Sequence, residues 1–197
     1  TFKKYKIRPT IFITGYVDTK KAFWFNKFEQ AKLISLLKIN NSDRLKKLSE
    51  TEEDLIRESL NTAEINQMKN FVDFQPHTFS HPSLVMCTDD EIENEIIQSC
   101  NIVRKLTGQI VFAFAPPFGI YDQRVIQAIK NNNIKCCLTI KPGTNSDIND
   151  LFALKRIGIP KHCDIDEFII RIDGVWDKIR SLPIFKSYSS FYKQFYE

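Results

Sequence analysis

Strand-like and helix-like stretches alternate along this chain, and that alternation predicts an α/β domain with parallel strands. Three observations carry the prediction. Short apolar runs at 11–15, 110–115, 134–140 and 154–159 have strand length. Between and beyond several of these runs, helical spacing or helix-start signals take over. The chain has 197 residues, a length that suits one domain over 1–197, and no repeat, low-complexity tract or linker divides it.

The first strand is expected at Ile11-Phe12-Ile13-Thr14-Gly15, opening on a loop over 16–21. A polar, helix-rich stretch follows over 22–69, with Leu33, Leu36, Leu37 and then Leu45 and Leu48 at helical spacing. Asn40-Asn41-Ser42 breaks it, and 49–53 reads as another helix start. Asn61 with Glu64 has the form of an N-cap for a helix ending near Lys69. Val72-Asp73-Phe74-Gln75 alternates apolar and polar, as a half-buried strand does. Thr88 to Glu91 is a capping box, T-x-x-E, for a helix running to Leu106 and stopped by Thr107-Gly108. Its buried face is expected at Ile92, Ile96, Ile97, Cys100, Val103 and Leu106, and the acidic run over 89–95 is read as a solvated helix N-terminus. A strand over 110–115 comes next, then a helix capped by Asp122 and reaching Asn131. Strands over 134–140 and 154–159 and a helix over 164–172 complete the order. Residues 175–197 form a C-terminal extension, in which Phe185, Tyr188, Phe191, Tyr192, Phe195 and Tyr196 stand among lysines as a docking segment or as packing.

Composition excludes several function classes. Hydrophobic residues at 43% and charged residues at 26% are ordinary globular values. A net charge of +4 with scattered basic residues gives no footprint for nucleic acid. No apolar stretch approaches the roughly 18 residues of a membrane span. The five cysteines are odd in number and irregularly spaced, with no C-x-x-C pair. Cys136-Cys137 reads as small buried hydrophobes. This usage leans towards a reducing, cytoplasmic compartment, with the cell envelope or secretion open if a signal segment lies upstream.

The residues that ask for chemistry are His77-Thr78-Phe79-Ser80-His81, which hold two of the three histidines. Neutral imidazole is a common ligand of zinc-like ions. Pro76 prevents a regular element from running through, and Pro82 disfavours the α region at His81. The pair is therefore expected on a tight loop at a strand end. Thr78 stands where H-E-x-x-H requires glutamate, so the metalloprotease pattern is not met. Spacing alone fits both a metal pair and two ordinary histidines, and a catalytic zinc usually takes three protein ligands. A second rigid loop, Pro116-Pro117-Phe118-Gly119, follows the strand over 110–115. In α/β barrels the loops after the strands form the active face, so the two loops are expected on one side.

Here the chain resembles the polysaccharide deacetylases, the NodB-like carbohydrate esterases. His77 to His81 matches the H-[ST]-x-x-H motif in full, with the usual proline after it. Phe114-Ala115-Pro116-Pro117-Phe118-Gly119 is similar to the F-A-Y-P-Y-G form of the later R-x-P-Y-G motif. The segment over 2–12 looks like the family's "kkygvpATFF", and Leu154-Lys155-Arg156-Ile157 resembles its "LpRi" strand. The resemblance implies a distorted, incomplete TIM-like barrel of about seven strands. It implies a divalent metal, commonly Zn2+, held by His77, His81 and an aspartate, and an acetylated saccharide as substrate. Thr78 would fix the loop, the backbone N–H of Phe118 would hold the oxyanion, and Arg156 would orient or charge-tune the catalytic base.

The family's T-F-D-D-G motif, source of the base and the third ligand, has no counterpart here. Lys3 and Lys4 stand where its aspartates would be, so the first strand is expected upstream of Thr1. The family's C-terminal histidine motif has no clear match, and His162 reads as a surface histidine. Trp24, in Ala22-Phe23-Trp24-Phe25, is a core residue or a wall of the sugar cleft. The expected function is metal-dependent hydrolysis of N- or O-acetyl groups of a saccharide. A non-catalytic carbohydrate-binding relative and a hydrolase of non-peptide C–N bonds in small molecules are the alternatives.

Overall fold

The computed structural model describes residues 2, 4–18, 28–50, 59–145, 150–175 and 178. Trp24, the helix start beyond residue 50 and the aromatic run over 183–197 lie outside them. Among the described residues, strands β1 (Thr10–Ile13) and β2 (Asp73–Pro76) pair in parallel, with Thr10 opposite Asp73 and Ile13 opposite Pro76. Strands β3 (Ala113–Phe114), β4 (Cys136–Pro142) and β5 (Leu154–Arg156) form a second parallel sheet in the order β3-β4-β5. Helices α1 (Gln30–Leu37), α2 (Asn41–Ser49) and α3 (Thr62–Met68) lie between β1 and β2 in sequence. Helix α4 (Asp89–Thr107) joins β2 to β3, α5 (Gln123–Asn131) joins β3 to β4, and α6 (Ile165–Ile172) follows β5. The α/β class with parallel strands is as the sequence predicts.

The caps explain the helix bounds. Asn61 and Glu64 make a capping box on α3, and Thr88 and Glu91 make one on α4. Gly108 ends α4 at φ 71°, a left-handed position that favours glycine. Asp122 and Asp164 cap α5 and α6. Ile92, Ile96, Cys100 and Val103 of α4 are buried against Phe74 and Phe114 of the strands. Ile97, expected in that face, is instead exposed, because the stripe turns past it towards Ser99 and Cys100.

The expected barrel does not appear. Five strands stand in two sheets among the described residues, with no closure. Between β2 and β3, side chains stand where a backbone ladder would run. The Gln75 Oε1 accepts from the N–H groups of Phe112 and Ala113, both at 3.0 Å, and its Nε2 donates to the Ile110 carbonyl at 3.1 Å. The Gln109 Oε1 accepts from Phe74 N–H at 2.7 Å, and its Nε2 donates to the carbonyls of Lys69 and Val72. Buried backbone groups need partners, and two glutamine amides supply them here. This also corrects the half-buried reading of β2, since Gln75 is 1% exposed rather than on a wet face. It corrects the strand over 110–115 as well: only 113–114 is ladder-paired, and Ile110 is 81% exposed. The strand expected over 134–140 starts at Cys136 and reaches Pro142, and the one over 154–159 stops at Arg156. Cys137 is buried as expected, and Cys136 only partly so.

Candidate metal centre

The β1–β2 ladder delivers the first histidine. His77 N–H donates to the Ile13 carbonyl at 2.9 Å, one step beyond Pro76, so His77 sits at the carboxyl end of β2. The chain then turns sharply. Thr78 has φ 65° and His81 φ 56°, left-handed values at two residues with side chains. Such positions cost on the order of 1–3 kcal/mol each and persist where the surroundings fix them. The Thr78 hydroxyl does part of this fixing. It donates to the His77 carbonyl at 2.5 Å and accepts the His81 N–H at 3.1 Å, linking the two histidine backbones. Thr78 is fully buried.

The turn brings the two Nε2 atoms to 3.2 Å, with ring centroids 4.8 Å apart and planes at 75°. The His77 Nδ1 lies 2.5 Å from the Ala115 carbonyl oxygen. A carbonyl only accepts, so Nδ1 is assigned the proton, which leaves the His77 Nε2 lone pair to accept a hydrogen bond from His81 Nε2 or to bind an ion in its place. Burial pushes the His77 pKa down to about 4; the Ala115 bond opposes this and the Arg156 charge adds to it. Burial, and then the neighbouring His77, hold His81 well below the ordinary histidine range. Both rings are therefore neutral at neutral pH, the state in which imidazole binds metal. Two ligands at about 2.05 Å from a tetrahedral ion are themselves about 3.3 Å apart, so the observed nitrogen pair fits two corners of a zinc-type site. The Nδ1–carbonyl bond is the outer-partner arrangement that orients a ligating histidine. Among the described residues no third His, Cys, Asp or Glu completes a cluster.

The second loop meets the first. Pro117–Gly119 is one turn of 3-10 helix, with Phe118 at φ 58° and Gly119 at φ 68°. Glycine is required at 119, because a Cβ there would stand 2.3 Å from Ile140 Cγ1. The Phe118 ring packs edge-on against His81, centroids 4.7 Å apart. Arg156 ends β5, where its Nε donates to the Thr139 carbonyl at 2.6 Å, and its charge is felt at His77. His77, His81, Thr78 and Phe118 thus form one group with Arg156 beside it. His162 is exposed, and Trp24 lies outside the described residues. The carboxylates of Asp18 and Asp73 are engaged elsewhere. Asp18 accepts from the backbone N–H and hydroxyl of Thr62, and Asp73 pairs with Arg8 at 2.6 Å at the other end of β2.

Sequence reasoning missed two contributors. Glu95 of α4 was expected to be solvated, and it is partly buried against the histidine loop. Its Oε2 accepts from Phe79 N–H and Ser80 N–H, both at 2.8 Å, and its Oε1 accepts from the Ser80 hydroxyl at 2.6 Å. The available signal was its position at helical spacing between Ile92 and Ser99, on the buried stripe. Arg44 of α2 is 1% exposed; its Nη2 donates to Asn41 Oδ1 at 2.5 Å, and Asn41 Nδ2 donates to Glu91 Oε1 at 2.9 Å. Burial lowers the Arg44 pKa, and its charge adds to the depression at His81. Nothing in the spacing of α2 marks this arginine as buried.

The family model described as Polysaccharide deacetylase matches residues 1–137. Among solved structures, the chain is similar to the deacetylase PplD of Streptococcus pyogenes in complex with acetate, at 22% identity and a TM-score of 0.61, covering 86% of this chain and 61% of that one. It is similar to a polysaccharide deacetylase from Bacillus cereus at 24% identity and a TM-score of 0.53, covering 68% and 48% of the two chains. The deacetylase domain of BpsB from Bordetella bronchiseptica gives 12% identity and a TM-score of 0.53, over 79% and 62%. The chain spans about half to three-fifths of the length of these structures. No curated protein matches its sequence.

Proposed function

The chain belongs to the polysaccharide deacetylase family, and on that premise we propose that it takes part in hydrolysing N- or O-acetyl groups of a saccharide at a divalent metal, zinc by preference, held by His77 and His81. The observation that carries this reading is the buried Nε2 pair at 3.2 Å with the His77 Nδ1 proton committed to the Ala115 carbonyl. Bound there, an ion of this kind supplies a polarised acetyl carbonyl and a water whose pKa falls towards roughly 7.

The chain's own residues have distinct tasks. Ala115 fixes the ring orientation and tautomer of His77. Thr78 ties the backbones of the two histidines together. The Phe118 ring shields one edge of His81 from water. Its backbone N–H is assigned the oxyanion of the tetrahedral intermediate, a contact worth about 3 kcal/mol in comparable sites. Arg156 places positive charge beside His77, suited to orienting a carboxylate base. Such a base contributes about 10²–10⁴-fold, and neither Asp18 nor Asp73 is assigned the role, since each is bound elsewhere.

The test is acetate release from acetylated chitooligosaccharides, measured with added zinc, cobalt or nickel and with a chelator. Release that needs the metal and is lost in His77→Ala supports the proposal. Release untouched by chelation contradicts it. Metal binding with no release, together with retention of the intact oligosaccharide by the chain, favours a carbohydrate-binding role instead.

A further inference from the structure

Glu95 lies outside the histidine motif in sequence, yet its hydrogen bonds among the described residues reach into it. Its carboxylate receives Phe79 N–H, Ser80 N–H and the Ser80 hydroxyl. Phe79 and Ser80 are two of the three residues between the histidines, and they stand between the left-handed Thr78 and His81. Two successive backbone N–H groups converging on one oxygen make an anion-binding concavity, and a carboxylate is the side chain that fills it best. On the opposite side, Gly15 N–H donates to the Phe79 carbonyl at 2.8 Å. The Phe79 ring packs so closely on Gly15 that a Cβ there would stand 2.3 Å from its Cδ2. The tip of the loop is thus gripped between β1 and α4, and Glu95 is the charged jaw.

We propose that Glu95 is a positioning residue that holds the His77–His81 loop in its metal-ready geometry, so that metal affinity depends on a carboxylate that never touches the metal. This rests on the reading of His77 and His81 as metal ligands. The Thr78 hydroxyl secures the histidine backbones from within the loop, and Glu95 secures it from the helix outside. Losing the outer hold leaves two strained residues free to relax and lets the Nε2 atoms drift from the separation an ion requires.

The experiment is zinc titration of the full chain as wild type, Glu95→Ala and Glu95→Gln, with thermal unfolding and amide exchange at Phe79 and Ser80 measured on the same samples without metal. Glu95→Ala is expected to weaken zinc binding about 10-fold, the lower end of the cost of losing a direct outer partner of a metal ligand, because Glu95 holds Phe79 and Ser80 between the histidines rather than a histidine itself. Glu95→Gln, nearly isosteric and able to accept some of the same bonds, is expected to lose less. Exchange at Phe79 and Ser80 should quicken in the order wild type, Gln, Ala. If Glu95→Ala does not fold, Glu95→Gln carries the test. Zinc affinity equal to wild type in the folded variants overturns the role of Glu95 and leaves the histidine reading standing. Failure of the wild type to bind zinc overturns the histidine reading, and the role of Glu95 with it.

Discussion

Helices α4 and α6 follow the same local rules and meet different surroundings. Each has a side-chain N-cap, Thr88 or Asp164, acidic residues in the first turn and a basic residue in the last. Each carries apolar residues at helical spacing. In α4, Ile92, Ile96, Cys100 and Val103 are at most 1% exposed. In α6 no residue is buried, and Ile165, Ile169 and Ile172 are 68%, 51% and 50% exposed among the described residues. Local sequence therefore sets where a helix forms, and a packing partner decides what it contributes. Helix α4 packs on β2 and holds the histidine loop, whereas α6 is tied back by Arg171, which pairs with Glu167 and donates to the Gly158 carbonyl. The candidate site is built by the well-packed region.

Unequal core truncations put this contrast to its hardest test. Phe74, fully buried in β2, is expected to cost about 3–5 kcal/mol as Phe74→Ala, by lost burial and a residual cavity. Ile169→Ala is expected to change stability by no more than about 0.5 kcal/mol, as at other exposed positions. Urea denaturation of both variants measures the difference. Similar losses would show that Ile169 is covered by a packing partner and would contradict the exposure of α6 described here.

Thiol chemistry sharpens the same contrast with a smaller effect. Burial pushes the thiols of Cys87 and Cys137 up to about 12 and that of Cys100 to about 11. The thiolate is the reactive form, so at pH 8 only on the order of one molecule in 10³–10⁴ presents one at these sites. Raising the pH increases that fraction, and lowering it decreases it. Cys163, just before α6, is less enclosed. Iodoacetamide at pH 8 should label Cys163 first, with Cys87, Cys100 and Cys137 protected until denaturant is added. Mass spectrometry of the peptides reads the order, and early labelling of Cys137 would contradict the packing described here.

What could be read from the sequence follows the same division. The caps at Asn61, Thr88 and Asp122 were legible because capping is local chemistry. The histidine pair was legible because its motif is contiguous and its prolines restrict the turn. Gln75 and Gln109 were not, since a glutamine that replaces a strand ladder looks like any polar residue in an alternating run. Glu95 was hidden among acids that do sit at a solvated helix start. The exposure of α6 was illegible because an amphipathic pattern announces an apolar face and not what covers it. Barrel closure was expected from resemblance, and the five described strands form two sheets.

The central claim is that His77 and His81 together hold one divalent ion, and equilibrium zinc titration of the wild type, His77→Ala and His81→Ala tests it most directly. One zinc per wild-type chain is expected, with either substitution weakening binding by more than the roughly 100-fold that loss of an outer partner costs. Equal zinc affinity in all three proteins would contradict the claim.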